Sequence, residues 1–289
     1  MKVSLVGTGY MGYPMAEKLL EAGYELVVYN RTAEKAQPLE EKGAVVCETF
    51  NEACSLSKVI LIMLSDFNAI KEMLDRIDLH LLDGKTIVQM STIAPDESIN
   101  LGEQLSAYGA EYVEAPVLGS IPQIKEKSLI VLFGGEQKQL TPLNEIFESF
   151  SNKIEHIGKV GEASAMKLAL NQLIVGLTTI FSMSLGFVRE SGLNVEKFMS
   201  IVGESALNAP TFSKKLVNYQ SRKYDNPNFP LKHLLKDLNL IHDAFSKKNI
   251  NVDALTGIQK ILNEGIENGL GELDYSALYE VVHKKESAK

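Results

Sequence analysis

Two hydrophobic periods divide this chain. Through the first half, short aliphatic and β-branched runs alternate with amphipathic stretches; after about residue 160 only helical spacing persists. Runs at Val3–Val6, Glu25–Tyr29, Val59–Leu64, Thr86–Gln89, Tyr112–Glu114 and Leu129–Phe133 predict strands. Between them, stretches such as "MGYPMAEKLLEAG" and "PDESINLGEQLSAYG" carry apolar residues at helical spacing. Gly23 and Gly109 stand where those helices should stop, because glycine closes a helix without a Cβ penalty. Strand–helix alternation predicts a parallel, doubly wound α/β sheet. Helical patterns near 162–190, 195–203, 211–221, 231–248, 253–268 and 274–284 predict an all-α second half. The change of period at Gly158–Gly161 divides the chain into an α/β domain, 1–160, and a helical domain, 161–289, joined by a long helix.

That joining segment is unusual. From Ala163 to Val188, "ASAMKLALNQLIVGLTTIFSMSLGFV" holds a single charge, Lys167. It is long enough to cross a membrane, yet it contains Asn, Gln, Thr and Ser and follows a soluble-looking domain. A helix apolar on every face is otherwise buried on every face. The expectation is a helix between domains, covered by a second copy of the chain in a homodimer or homotetramer.

Composition narrows the partners. With 289 residues, 45% hydrophobic and 23% charged, the chain can build one large or two smaller cores. The net charge of −8 and the lack of any basic block longer than "HKK" argue against nucleic acid. Small anions stay in play, because they need only a local positive site. Cys47 and Cys54 form no CxxC pair, so no disulfide framework is expected and a reducing cytoplasm fits. The opening "MKVSLVGTGY" breaks into glycines too soon for a cleavable signal. No HExxH, Cys/His cluster or G-x-S-x-G occurs, and the five histidines show no ligand spacing, so no metal is expected.

The chemistry begins with Gly7-Thr8-Gly9-Tyr10-Met11-Gly12, a G-x-G-x-x-G between a strand and a helix. Gly7 permits the tight turn, Gly9 admits a pyrophosphate, and Gly12 lets helix and strand pack closely. Phosphates then meet free N–H groups at the helix N-terminus. At the end of the second strand, where an NAD site carries Asp or Glu for the ribose, this chain has Asn30, Arg31 and Thr32. Asn does not repel a 2′-phosphate, and Arg31 offers it a fork of donors, so NADP(H) is favoured over NAD. Farther on, Lys167 and Asn171 share a helix face. A lysine inside an apolar helix loses solvation unless it meets an anion or a cavity, and burial eases proton release near neutral pH. Hydride delivery to a carbonyl builds charge on oxygen, which an ammonium can stabilise and protonate.

Together, "GTGYMG", "NRT", "MLSD" (63–66), "MSTIAP" (90–95), "EAPVLGS" (114–120), "GKVGEASAMKLALNQ" (158–172) and "KDLNL" (236–240) resemble the β-hydroxyacid dehydrogenase family over nearly the whole chain. "NRT", "FPLKHLLKD" and "GLGELDYSALYEVV" are most similar to its NADPH-using glyoxylate/succinic semialdehyde reductases. The resemblance implies a Rossmann domain followed by an all-α domain. It implies Lys167 as general acid and Asn171 orienting substrate. Met11, Ser91, Thr92 and Lys236 would lie at the nicotinamide end, Met63 and Leu64 would flank the cofactor, and Phe229 and Asp237 would border the substrate. The loop "VEAPVLGSIP" would bind substrate through Leu118, Gly119 and Ser120. Leu118 replaces the usual serine there, which predicts weaker use of glyoxylate and a less polar carbonyl substrate, while the N–H groups near Gly119 and Ser120 can still meet a carboxylate. The implied activity is reduction of a small aldehyde or keto acid to a hydroxyacid by NADPH. Imine reduction and non-catalytic NADPH binding are the alternatives.

Overall fold

A computed structural model describes residues 1–284. It divides into two compact units, Met1–Leu168 and Ala169 onward. Residues 285–289 of the expected second domain lie outside the described residues.

The first unit is built on nine strands: β1 (Lys2–Val6), β2 (Glu25–Tyr29), β3 (Val45–Cys47), β4 (Val59–Ile62), β5 (Thr86–Gln89), β6 (Glu111–Glu114), β7 (Val117–Leu118), β8 (Leu129–Gly134) and β9 (Ser151–Gly158). Their order is β3-β2-β1-β4-β5-β6-β8-β7, with β9 also on β8. From β3 to β6 every pair is parallel. The central β4, "VILI", is buried along its length, as expected of a parallel strand covered on both faces. Leu5, Leu61 and Val88 pack on one side of the sheet with Met15, Leu19 and Phe133. Ile60, Ile62 and Ile87 pack on the other with Phe50, Ile70 and Leu101. Truncating one such residue to alanine costs about 2–5 kcal/mol.

The sheet departs from the wholly parallel expectation at its far side, where β8 runs antiparallel to β6 and β7. Parallel neighbours need a crossover of a dozen or more residues, usually helical. Between β7 and β8 the chain forms only a five-residue helix, Ile121–Lys125, and reverses instead. The third expected strand, Val59–Leu64, stops at Ile62, and Met63 and Leu64 begin the following loop.

In the second unit, helices Val195–Glu204, Pro210–Ser221, Leu231–Lys247 and Asp253–Glu267 follow the long helix Glu162–Glu190, which begins in the first unit. Phe181, Leu185, Tyr219 and Tyr279 form a hydrophobic core rich in rings, with the Phe181 and Phe212 rings stacked at 4.4 Å. The helix expected over 274–284 is instead a 3-10 turn, Tyr275–Leu278, and a short helix, Tyr279–Val282. Asp274 sets this geometry: its carboxylate accepts from the Ser276 N–H and hydroxyl while paired at 2.7 Å with the buried Lys215 ammonium.

Within a single copy of the chain the long helix is open on one side: Leu173, Leu177, Ile180, Met183 and Phe187 form an exposed apolar stripe, with Phe187 72% exposed. Val175, Thr178, Thr179, Ser182 and Leu185 are buried. Thr179 and Ser182 hydroxyls donate to carbonyls four residues back, so their burial leaves no unmet donor.

Candidate active site

The glycine turn shows which residues serve the fold and which do not. Gly7 has φ +96°, and a Cβ there would lie 2.2 Å from the Met63 carbonyl oxygen. A Cβ on Gly12 would lie 1.8 Å from Gly7 O. Packing alone therefore demands both glycines. A Cβ on Gly9 would meet nothing within 4 Å, so internal packing gives no reason for glycine there. The helix that follows, Gly12–Glu21, has no side-chain cap and no acidic residue in its first turn, which leaves its positive end open to an anion. Thr8 is buried, its N–H donates to Asn30 Oδ1 at 2.9 Å, and its hydroxyl has no partner. Asn30 Nδ2 in turn donates to Thr32 O at 2.7 Å, so Asn30 ties the glycine turn to the end of β2.

Beside this turn lies a pocket. Gly7, Gly9, Asn30, Arg31, Thr32, Met63 and Leu64 all line it; among the lining residues the sequence did not single out as site residues are Lys35, Ser65, Glu72 and Arg76. Arg31 Nη1 is paired with Glu72 Oε2 at 2.8 Å on the exposed rim. Ser65, Glu72 and Arg76 flank or lie on the helix Phe67–Leu74, and only Ser65, inside "MLSD", and Lys35, four after Arg31, stood near motifs the sequence showed. Thr8, Tyr10, Met11, Gly12, Ser91, Thr92 and Lys236 are not among the lining residues. Tyr10 is exposed, and Met11 packs with Met63 against the core. Ser91 is buried, and its hydroxyl accepts from the Leu64 N–H at 2.8 Å, fixing the loop after β4. Thr92 follows it, half-buried.

The loop after β6 is more tightly self-bonded than the sequence suggests. Leu118 is half-buried and pairs with Ile130 across β7 and β8. Gly119 has φ +128°, and a Cβ there would press on Leu129 at 2.6 Å. Ser120 donates both its N–H and its hydroxyl to Gln123 Oε1, each at 3.0 Å. A substrate carboxylate expected at the Ser120 N–H would therefore compete with the Gln123 side-chain carbonyl for it.

Lys167 is 8% exposed, in the second turn of the long helix. In the second unit, Asn171 Nδ2 donates to Asp237 Oδ2 at 2.7 Å, with both residues buried, and Asp237 Oδ1 forms an ion pair with Lys236 at 2.8 Å. The structure thus joins Asn171, Asp237 and Lys236 into one chain of contacts that the sequence reading had treated separately. Phe229 is half-buried, its ring 6.0 Å from Tyr275 and 6.1 Å from His233.

These features fit a nicotinamide dinucleotide: an uncapped helix end, a glycine open to solvent, an unpartnered Thr8 hydroxyl, and Arg31, Lys35 and Arg76 around one pocket. The NAD binding domain of 6-phosphogluconate dehydrogenase matches residues 2–158, and the NAD-binding domain of NADP-dependent 3-hydroxyisobutyrate dehydrogenase matches 161–282. The chain belongs to the β-hydroxyacid dehydrogenase family. This dehydrogenase is 30% identical over 285 residues to glyoxylate/succinic semialdehyde reductase 1 of Arabidopsis thaliana, covering 98% of each. It is 30% identical to 2-hydroxy-3-oxopropionate reductase of Escherichia coli, covering 98% of this chain and 97% of that one. Its fold matches Mycobacterium tuberculosis 3-hydroxyisobutyrate dehydrogenase with a TM-score of 0.87 at 19% identity, over 97% and 98% of the two chains. As a β-hydroxyacid dehydrogenase it is an oxidoreductase with nicotinamide-dinucleotide-binding domains.

Proposed function

We propose that this dehydrogenase reduces a small aldehyde or keto acid, of the semialdehyde or glyoxylate class, to the hydroxyacid with NADPH. The observation that carries the reading is Lys167, a buried cation one turn before Asn171 in an otherwise apolar helical run. When bound, NADPH supplies the hydride to the carbonyl carbon. Lys167 donates its proton to the carbonyl oxygen, so that the product is a neutral alcohol and the lysine is recharged from solvent. Asn171, held by Asp237, orients the substrate. Arg31, Lys35 and Arg76 support NADPH over NADH, because three cations around one pocket favour the extra phosphate.

The test is NADPH oxidation over a panel of aldehydes, keto acids and cyclic imines, run in parallel with NADH. Lys167→Ala should lower kcat by about 10²–10⁴ while leaving NADPH binding largely intact. A variant that kept most of its kcat would remove the lysine from the chemistry. Cyclic imines outperforming every aldehyde would replace the substrate class.

A further inference from the structure

Glu114, the last residue of β6, is fully buried, and five donors surround its carboxylate. Oε1 accepts from the backbone N–H groups of Gly161 and Ala163, both at 2.8 Å, and of Ser164 at 3.1 Å. Oε2 accepts from the Ser164 hydroxyl at 2.6 Å and from the Ser98 hydroxyl. These backbone donors belong to the start of the long helix Glu162–Glu190, whose first N–H groups have no partner within the helix. Such groups are usually capped by the residue just ahead of the helix. Here that residue is Gly161, which has no side chain and cannot gain one cheaply: φ is +95°, and a Cβ would lie 2.8 Å from Ile99. Glu162 reaches backward instead, to the Lys159 N–H at 3.2 Å. The cap therefore comes from the sheet, some 47–50 residues earlier in sequence.

The sheet is built to admit it. Glu114 pairs with Gly134 across β6 and β8, and a Cβ on Gly134 would lie 2.6 Å from Glu114 Oε1. A carboxylate at the positive end of a helix is also electrostatically favoured.

Lys167 lies three residues beyond Ser164, on the same side of the helix and about 4.5 Å along its axis. We propose that Glu114 is the positioning residue for Lys167: it clamps the first turn of the long helix to the end of β6 and so fixes where the lysine backbone stands. The inference rests on Lys167 being the proton donor. Glu114 touches no reacting atom and acts only through that turn. β6 ends at Glu114, and after two residues the chain enters β7 and Leu118–Ser120, so one carboxylate ties the lysine's helix to the segment that leads into that loop. Proton transfer is sensitive to such placement, since an error near 1 Å can cost about 10²-fold.

The experiment compares wild type, Glu114→Gln, Ser164→Ala and Lys167→Ala by steady-state kinetics with NADPH and succinic semialdehyde, by NADPH titration, and by amide hydrogen exchange. Glu114→Gln keeps the shape and loses the charge. It should lower kcat by about tenfold, leave the NADPH Kd and the aldehyde KM within about twofold, and speed exchange at Ala163 and Ser164 by about tenfold. Damage to the fold in general would move Kd and KM as well. Should Glu114→Gln not fold, Ser164→Ala removes one donor only and should show the same split with a two- to threefold loss of kcat, on the order of one hydrogen bond shared among five. With Lys167→Ala inactive, an unchanged kcat in Glu114→Gln, or unchanged exchange at Ala163 and Ser164, overturns the positioning role alone. If Lys167→Ala retains turnover, the proton-donor reading falls and takes this inference with it.

Discussion

A carboxylate can only accept hydrogen bonds. Asp237 Oδ2, 2.7 Å from Asn171 Nδ2, therefore obliges the amide to present its nitrogen there and leaves Asn171 Oδ1 buried without a partner. Whatever meets Asn171 must be a donor, such as an ammonium or a hydroxyl. Asp237→Asn can pair with either end of the amide, so the orientation is no longer fixed. It should lower kcat/KM by about 10–100-fold, the worth of a charge-assisted hydrogen bond, and steady-state kinetics will show it. At the pocket rim, Glu72 occupies Arg31 at 2.8 Å. A bound 2′-phosphate would have to displace or share that contact. Glu72→Gln should tighten NADPH by about two- to fivefold, the range of an exposed ion pair, and leave NADH unchanged. Arg31→Ala should weaken NADPH by roughly tenfold or more. Fluorescence titration with both cofactors checks the pair, and equal effects on NADPH and NADH would show that Arg31 does not read the phosphate.

Among elements, the glycine turn separates folding from binding. Gly12→Ala forces a Cβ to within 1.8 Å of Gly7 O and should destabilise the protein by about 1–3 kcal/mol or more. Gly9→Ala meets nothing, so the Tm should hold within about 1 °C while NADPH binding weakens roughly tenfold. A thermal melt beside a titration tests both, and an unchanged Kd in Gly9→Ala would detach that residue from the cofactor. The turn was legible in the sequence because its parts are contiguous. So was β4, whose burial along its length leaves the unbroken apolar run "VILI". β9, "SNKIEHIG", escaped notice because an edge strand has little apolar signal, and two-residue β7 is too short to show a period. The reversal at β8 depends on how a short helix packs, which no local pattern records. Long-range contacts were likewise hidden: Asn171 meets Asp237 across 66 residues, and Glu114 looked like any strand residue until its partners appeared.

For the molecule as a whole, we propose that a second copy of the chain covers the exposed apolar stripe from Leu173 to Phe187. A spanning helix would show apolar surface all round, whereas this one is open on one side and buried with polar hydroxyls on the other. Such a stripe fits a second copy of the chain, and sedimentation should find a dimer or tetramer. Ile180→Glu with Phe187→Glu should shift the protein to monomers, because two charges in an apolar interface cost several kcal/mol. An unchanged sedimentation coefficient would place the contact elsewhere. The same greasy ridge governs how the protein behaves in a cuvette. Diluted far enough to come apart, it would adhere to plastic, and specific activity would sag with time and with falling concentration. Carrier albumin or a trace of mild detergent would restore the signal without touching the chemistry.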